Sequence, residues 1–231
     1  MIQTAVKSPV QLAADIRDVR EVTIRGSANL DFWKRRLECE DLIPIERDGR
    51  AQLLVIAAAM RFKGIHFAEL SFSVLVRRGQ PEGAFLVQAF NTVRFFAFVE
   101  RNLFSAPYHH GDVQLDVGTS PFARVADKDQ GGFRAEMAGA EREPASIGEA
   151  GWEGPVFLPR DSRSQSPRRK YFVAGIRGRT RSYPFTSDDR ITIEPSARSP
   201  IFQWLIDSGF AGLEWSIRES ARHSKSKTMA E

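Results

Sequence analysis

The sequence predicts a mainly β protein of the α+β kind: an antiparallel barrel carrying a few helices. Three observations predict it. Residues 66–78, "HFAELSFSVLVRR", alternate, with Ala68, Leu70, Phe72, Val74 and Val76 on one apolar face and Phe67, Glu69, Ser71 and Ser73 on a mixed one. That is the two-residue period of a strand. The turn "RGQPEG" and a second apolar run, "AFLVQAFN", follow at once and complete a hairpin. Beyond Gly111, "DVQLDV", "FARVAD", "GFRAEMAG", "KYFVAGI" and "RITIEP" are short strand candidates divided by glycine, aspartate or serine turns. Many short strands around one or two buried helices close most simply as a barrel.

Taken in order, "SANLDFWKRRLE" (27–38) reads as a short helix. Ser27 is the expected cap, and Leu30, Trp33 and Leu37 share a face. "AQLLVIAAAMRF" (51–62) is an apolar run that fits either a strand or a buried helix, and periodicity leaves the choice open. After the hairpin, "TVRFFAFVERNLF" (92–104) is apolar almost all round, as a buried helix is, and Pro107 closes it. "GAEREPASIGEAGWEGP" and "RDSRSQSPRR" read as long surface loops. "SPIFQWLIDSG" is one more helix, with Ser199 as cap, Pro200 in its first turn and Gly209 at its end. Residues 1–220 are expected to form one domain and 221–231 a basic flexible tail.

Composition narrows the function classes. With 231 residues, the chain can bury roughly 70% of its unfolded surface without staples. Cys39 stands alone, so no internal disulfide forms. No stretch approaches the roughly 20 apolar residues of a spanning helix, and the expectation is a cytoplasmic protein away from membranes. The net charge of +4 is concentrated in residues 160–181, where eight basic residues face the single Asp161. No nucleic-acid module or aromatic platform accompanies that run, so it reads as solvated surface and nucleic acid is not an expected partner.

The chemistry-bearing stretch is "VERNLFSAPYHHGDVQLDV" (99–117), which holds two of the four histidines. Neighbouring residues on a strand point to opposite faces, so His109 and His110 do not share one metal ion without a kink, and a third ligand is wanting. No metal or cofactor is expected. Acid–base work suits the stretch better, because imidazole titrates near neutrality. The bland alternative has Tyr108 filling the core and a histidine capping backbone groups.

The order of pieces resembles the acetoacetate decarboxylase-like superfamily: a strand with a mid-face glutamate, a hairpin, a helix, then a reactive pair after proline. The resemblance covers residues 60–117, and "RNLFSAPYHHGDV" is most similar to a branch whose turn reads PYHH. It implies a cone-like antiparallel barrel with a small-molecule pocket inside. In the decarboxylases that turn reads Pro-Lys-Lys and its first lysine forms a Schiff base. Here Tyr108 and His109 take those places, so that chemistry is missing at its own position. The resemblance also matches Glu69 to a pocket glutamate and Arg20 to an arginine facing the substrate carboxylate. It therefore implies Tyr108, His109 and Glu69 as catalytic residues, with Arg20, His110 and Arg101 binding a small anionic ligand. Glu69 pairing with Arg94 or Arg101 is the structural alternative. Of the seven lysines (Lys7, Lys34, Lys63, Lys128, Lys170, Lys225 and Lys227), only Lys170 falls on a recognisable strand, and there it is expected to snorkel at the barrel surface. The expected function is proton-transfer, lyase- or isomerase-like chemistry on a small oxo or carboxylate compound without Schiff-base decarboxylation. The alternative is a non-catalytic binding or sensing protein. Self-association is left open.

Overall fold

The computed structural model describes residues 11–78, 82–129, 131–139, 142–160 and 169–230. The chain begins with β1 (Leu12–Asn29), α1 (Leu30–Leu37), a single 3-10 turn (Glu38–Glu40), β2 (Ile43–Pro44) and β3 (Glu46–Arg47). Then come β4 (Arg50–Phe62), β5 (Ile65–Arg77), β6 (Glu82–Asn91), α2 (Arg94–Leu103) and β7 (Tyr108–His110). The second half holds β8 (Asp112–Asp116), β9 (Phe122–Ala126), β10 (Gly132–Glu136), β11 (Ser146–Phe157), β12 (Lys170–Pro184) and β13 (Arg190–Glu194). It ends with α3 (Pro200–Asp207), β14 (Ala211–Ser226) and β15 (Met229–Ala230).

Strand pairing runs β5-β4-β1-β14-β12-β11-β6, and β6 pairs back onto β5, which closes a ring. All these pairings are antiparallel except β6 with β11, which meet in parallel over Val156–Ala84 and Phe157–Phe85 alone. Strands β13-β10-β9-β8 form a separate four-stranded sheet. The face of the ring carrying Leu70, Phe72, Val22, Ile24 and Trp215 packs on that sheet and on the helices. Phe72 stands edge-on to Phe90, Phe133 of β10 and Phe202 of α3, with centroids 6.4, 5.4 and 5.9 Å away. The predicted apolar face of β5 therefore lies in the main core.

Several expectations need correcting. The apolar run 51–62 is strand, because it pairs β1 on one side and β5 on the other. Asn29 rather than Ser27 caps α1, its side chain accepting from the Phe32 amide at 2.8 Å. Helix α2 is not buried all round: only Ala97 is fully enclosed, and Phe95, Phe98 and Leu103 face outward. "PASIGEAGWEGP" is not a loop but most of β11, an exposed ribbon paired residue by residue with β12. Its glycines hid it, yet Gly151 and Gly154 lie where a Cβ would meet Arg177 or Trp152 at 3.0 Å or less. The turn of the hairpin at 79–81 and residues 161–168 of the second expected loop lie outside the described residues. The stretch 221–226, read as the start of a tail, continues β14 and pairs β1 from Ala221 to Ser226. Among the described residues no helix is long and apolar enough to cross a membrane.

Candidate functional site

Glu69 sits on the mixed face of β5, opposite Ala58, which is itself opposite Glu21 of β1. Directly opposed residues share a face, so both carboxylates project to the side away from the Phe72 core. Small and apolar neighbours line that side, including Val19, Ala58, Met60, Ala221 and Phe67 in one cluster and Leu86, Ala89, Tyr108, Val156 and Phe172 in another. Chains from strands far apart in the ring converge here. Lys225 of β14 places its ammonium 4.6 Å from the Phe172 ring centroid of β12 and 5.9 Å from that of Tyr108. Its charge also acts on Glu69 of β5. On a flat sheet strands three apart stand about 14 Å from each other; the ring's curvature brings them together, so this side is its interior.

Tyr108 reaches the interior through a tight connection. Pro107 fixes the approach, its carbonyl accepts from the Ala89 amide at 3.0 Å, and the Tyr108 amide bonds back to Ala106 at 2.8 Å. Ser105, in the left-handed region at φ 56°, turns the chain out of α2, and Lys170 holds its hydroxyl at 2.7 Å. Strand β7 then lies parallel to β6 with Tyr108 beside Ala89. The Tyr108 hydroxyl faces the Glu69 carboxylate, and each shifts the other's titration. Burial, then the negative charge of Glu100, raises Glu69 above the ordinary carboxylate range, although Lys225, Tyr108 and His223 oppose the rise. Burial and the Glu69 and Glu100 carboxylates push the Tyr108 phenol well above its usual value. The pair is thus a carboxyl that takes a proton readily and a phenol that keeps its own. Glu69 retains some solvent-accessible surface, so the proton has a route.

The remaining sequence candidates lie elsewhere. His109 alternates with Tyr108 and turns to the other face, its ring 6.0 Å from that of Phe90. Burial and the charge of Arg101 lower its pKa, against Asp127. His110 returns to Tyr108's side at the edge of the ring, where burial, Arg94 and Lys128 lower it and a backbone bond to Thr92 opposes them. Arg101 is exposed on the last turn of α2. Arg20 forms a 2.9 Å bridge to Asp116 with side chains 51% and 40% exposed, a surface pair of the kind that contributes about 0–1 kcal/mol. The structure brings Tyr108 and Glu69 together and leaves His109, Arg101 and Arg20 outside their group. Neither Arg94 nor Arg101 pairs with Glu69; the side chains that oppose its raised pKa are Lys225, Tyr108 and His223.

Sequence reasoning missed the contribution of β14. Lys225 donates to both oxygens of Glu100 at 2.6 Å, with each side chain about one-fifth exposed. His223 lies 2.5 Å through Nε2 from Oε2 of the fully buried Glu21, whose Oε1 takes the Thr23 hydroxyl at 2.6 Å and the Arg218 guanidinium. A signal was present: Leu213, Trp215 and Ile217 alternate just before these residues. Among the described residues no three His, Cys, Asp or Glu side chains are grouped to hold a metal ion. Two shallow depressions of about 290 and 350 Å³ open on the β11–β12 side. Arg222 and Ser224, which line the first, alternate with His223 and Lys225 and so face away from the interior.

No family model and no curated protein matches the chain. Solved structures do. The acetoacetate decarboxylase of Legionella pneumophila superposes with a TM-score of 0.69 at 14% identity, covering 97% of this chain and 90% of that one. A second acetoacetate decarboxylase gives 0.67 at 15% identity, over 100% of this chain and 95% of that one. The chain has the acetoacetate decarboxylase-like fold. The same fold is shared with the enduracididine biosynthesis enzyme MppR, solved in complex with pyruvate, with a TM-score of 0.64 at 9% identity over 99% of this chain and 93% of that one. At such identities the acetoacetate decarboxylase-like fold is what is held in common. The interior residues of this chain must be read for themselves.

Proposed function

We propose that this protein takes a small oxo- or carboxylate-bearing compound into the ring and moves a proton on it with Glu69 and Tyr108. The single observation that carries the reading is the facing pair itself. A carboxyl of raised proton affinity stands beside a buried phenol that stays protonated, and Glu69 keeps some accessible surface. Such a carboxyl can act as general acid or base, and the phenol can donate to an oxygen on which negative charge develops. With Glu69 protonated, Glu100 is balanced by Lys225 and Glu21 by Arg218, so these groups leave no net negative charge to repel a small anion. The complex of MppR with pyruvate, on the same fold, supports the ligand class.

Pyruvate is the smallest probe with a ketone, an enolisable C–H bond and a carboxylate. In D2O the protein is expected to accelerate loss of the pyruvate methyl proton signal. Tyr108→Phe should slow that exchange by about 10²–10³-fold, the usual cost of removing one donor to a developing oxyanion. His109→Asn should leave it unchanged, since its ring points to Phe90. Borohydride added with pyruvate should produce no lysine adduct by intact mass, because Glu100 holds the Lys225 ammonium at both oxygens. An adduct at Lys225 overturns the part of the reading that dispenses with a Schiff base. Ligand binding without exchange replaces the enzyme with a binding protein.

A further inference from the structure

The Glu69–Tyr108 pair supplies one titrating group, and keto–enol chemistry needs a second proton site on the adjacent carbon. Among the described residues, the group with the geometry for that role is His223. Both oxygens of Glu21 are engaged, Oε2 by His223 and Oε1 by Thr23 and Arg218, and its side chain is 0% exposed. Burial works against the charge on Glu21, yet these partners hold it ionised, below the ordinary range. An ionised carboxylate at 2.5 Å requires Nε2 to carry a proton, which leaves Nδ1 as the nitrogen that gives or takes one. Among the described residues nothing bonds Nδ1, and the side chain is 18% exposed. The charged groups around the ring are Glu21 of β1, Arg218 and Lys225 of β14 and Glu69 of β5.

We infer that His223, oriented by Glu21, is a catalytic residue facing Glu69, and that the two interconvert the keto and enol forms of a small oxo acid. This rests on the reading of the interior as an oxo-acid site. The C–H bond beside the carbonyl breaks and its proton passes to His223 Nδ1. The electron pair becomes the C=C bond, and the carbonyl π pair moves to oxygen, which takes the proton of Glu69. One proton leaves carbon and another joins oxygen, so the composition and electron count of the substrate are unchanged. Return of one proton from His223 to Glu69 through water resets the site. Glu21 acts as a positioning residue, in the way a carboxylate fixes tautomer and ring plane in other histidine pairs.

The test is pyruvate methyl exchange in D2O, followed by proton NMR on the full chain. His223→Ala is expected to lose about 10²–10⁴-fold, the usual worth of a general acid–base, and to recover in part with free imidazole. Glu21→Gln should lower kcat for exchange while leaving the pyruvate KM near the wild-type value, because only the carboxylate that fixes the tautomer and plane of the His223 ring is gone. If that variant fails to fold, the pair Glu21→Gln, Arg218→Gln removes the stranded cation and serves the same measurement. Should folded His223→Ala match the wild type while Glu69→Gln has lost exchange, the inference falls and the proposed function stands. A folded His223→Ala that is slow but gains nothing from imidazole also overturns it, leaving His223 structural. No exchange in the wild type removes the oxo-acid reading and this inference with it.

Discussion

Glu69→Gln is expected to abolish proton exchange while making the protein more stable at neutral pH. The activity loss follows from removing the proton carrier, about 10²–10⁴-fold. The stability gain follows from the direction of the shift. Burial and Glu100 raise the folded pKa of Glu69 above its unfolded value. A carboxyl raised in this way favours the folded state at low pH, and that contribution is lost as pH rises from the unfolded pKa through the folded one. Above that window the wild type holds an ionised carboxylate in a poorly solvated place, and glutamine relieves the cost. Thermal melts should therefore coincide near pH 4 and separate in favour of the variant at pH 7 to 8. Coincident melts at every pH would show that Glu69 is not held in the strained state from which its chemistry is derived. The trade of stability for function is a common mark of an active site.

The second large effect lies outside the site. Asp189 has a fully buried carboxylate that accepts from the Ala138 amide at 2.8 Å, the Thr186 amide at 2.9 Å, Arg142 Nη1 at 2.7 Å and Trp215 Nε1 at 3.2 Å. These donors come from the β10–β11 connection, the β12–β13 turn and β14. One side chain thus ties the four-stranded sheet to the ring. Asp189→Ala leaves Arg142 without its counter-charge and several donors without an acceptor, which costs about 3–5 kcal/mol. Urea titration should show a lower midpoint with an unchanged slope. Asp189→Asn, which keeps the shape, should cost less. Burial alone would raise the Asp189 pKa, but the four donors outweigh it and hold it low. Its contribution is present above the unfolded carboxylate pKa and fades only as pH falls through the depressed one.

What could be read in advance followed local pattern. The alternation at 66–78 gave β5 and put Glu69 on the face opposite Phe72, and the proline after α2 marked where Tyr108 begins β7. Strand alternation also separates Tyr108 from His109, and resemblance to a lysine pair obscured that elementary consequence. The ribbon β11 escaped because glycine and acidic residues disguise a strand whose two faces are both largely exposed. Strand β14 escaped for another reason. Arg218, His223 and Lys225 interrupt its apolar alternation because they are polar groups that face the interior, so a composition typical of a tail conceals a strand. Glu21 and His223 lie 202 positions apart, a contact that no local window contains.

The pairing of β1 with β14 has a consequence for how the protein is made. Leu12 opposes Ser226, so the first strand of the ring finds one neighbour almost at the other end of the sequence. During synthesis β1 can pair with β4 but must wait for β14, and Glu21 waits with it for Arg218 and His223. Contacts of such sequence separation form slowly. The interior therefore acquires its histidine and its lysine late in assembly, well after Glu69 and Tyr108 have been made, and stays open on the β1 side until the ring shuts.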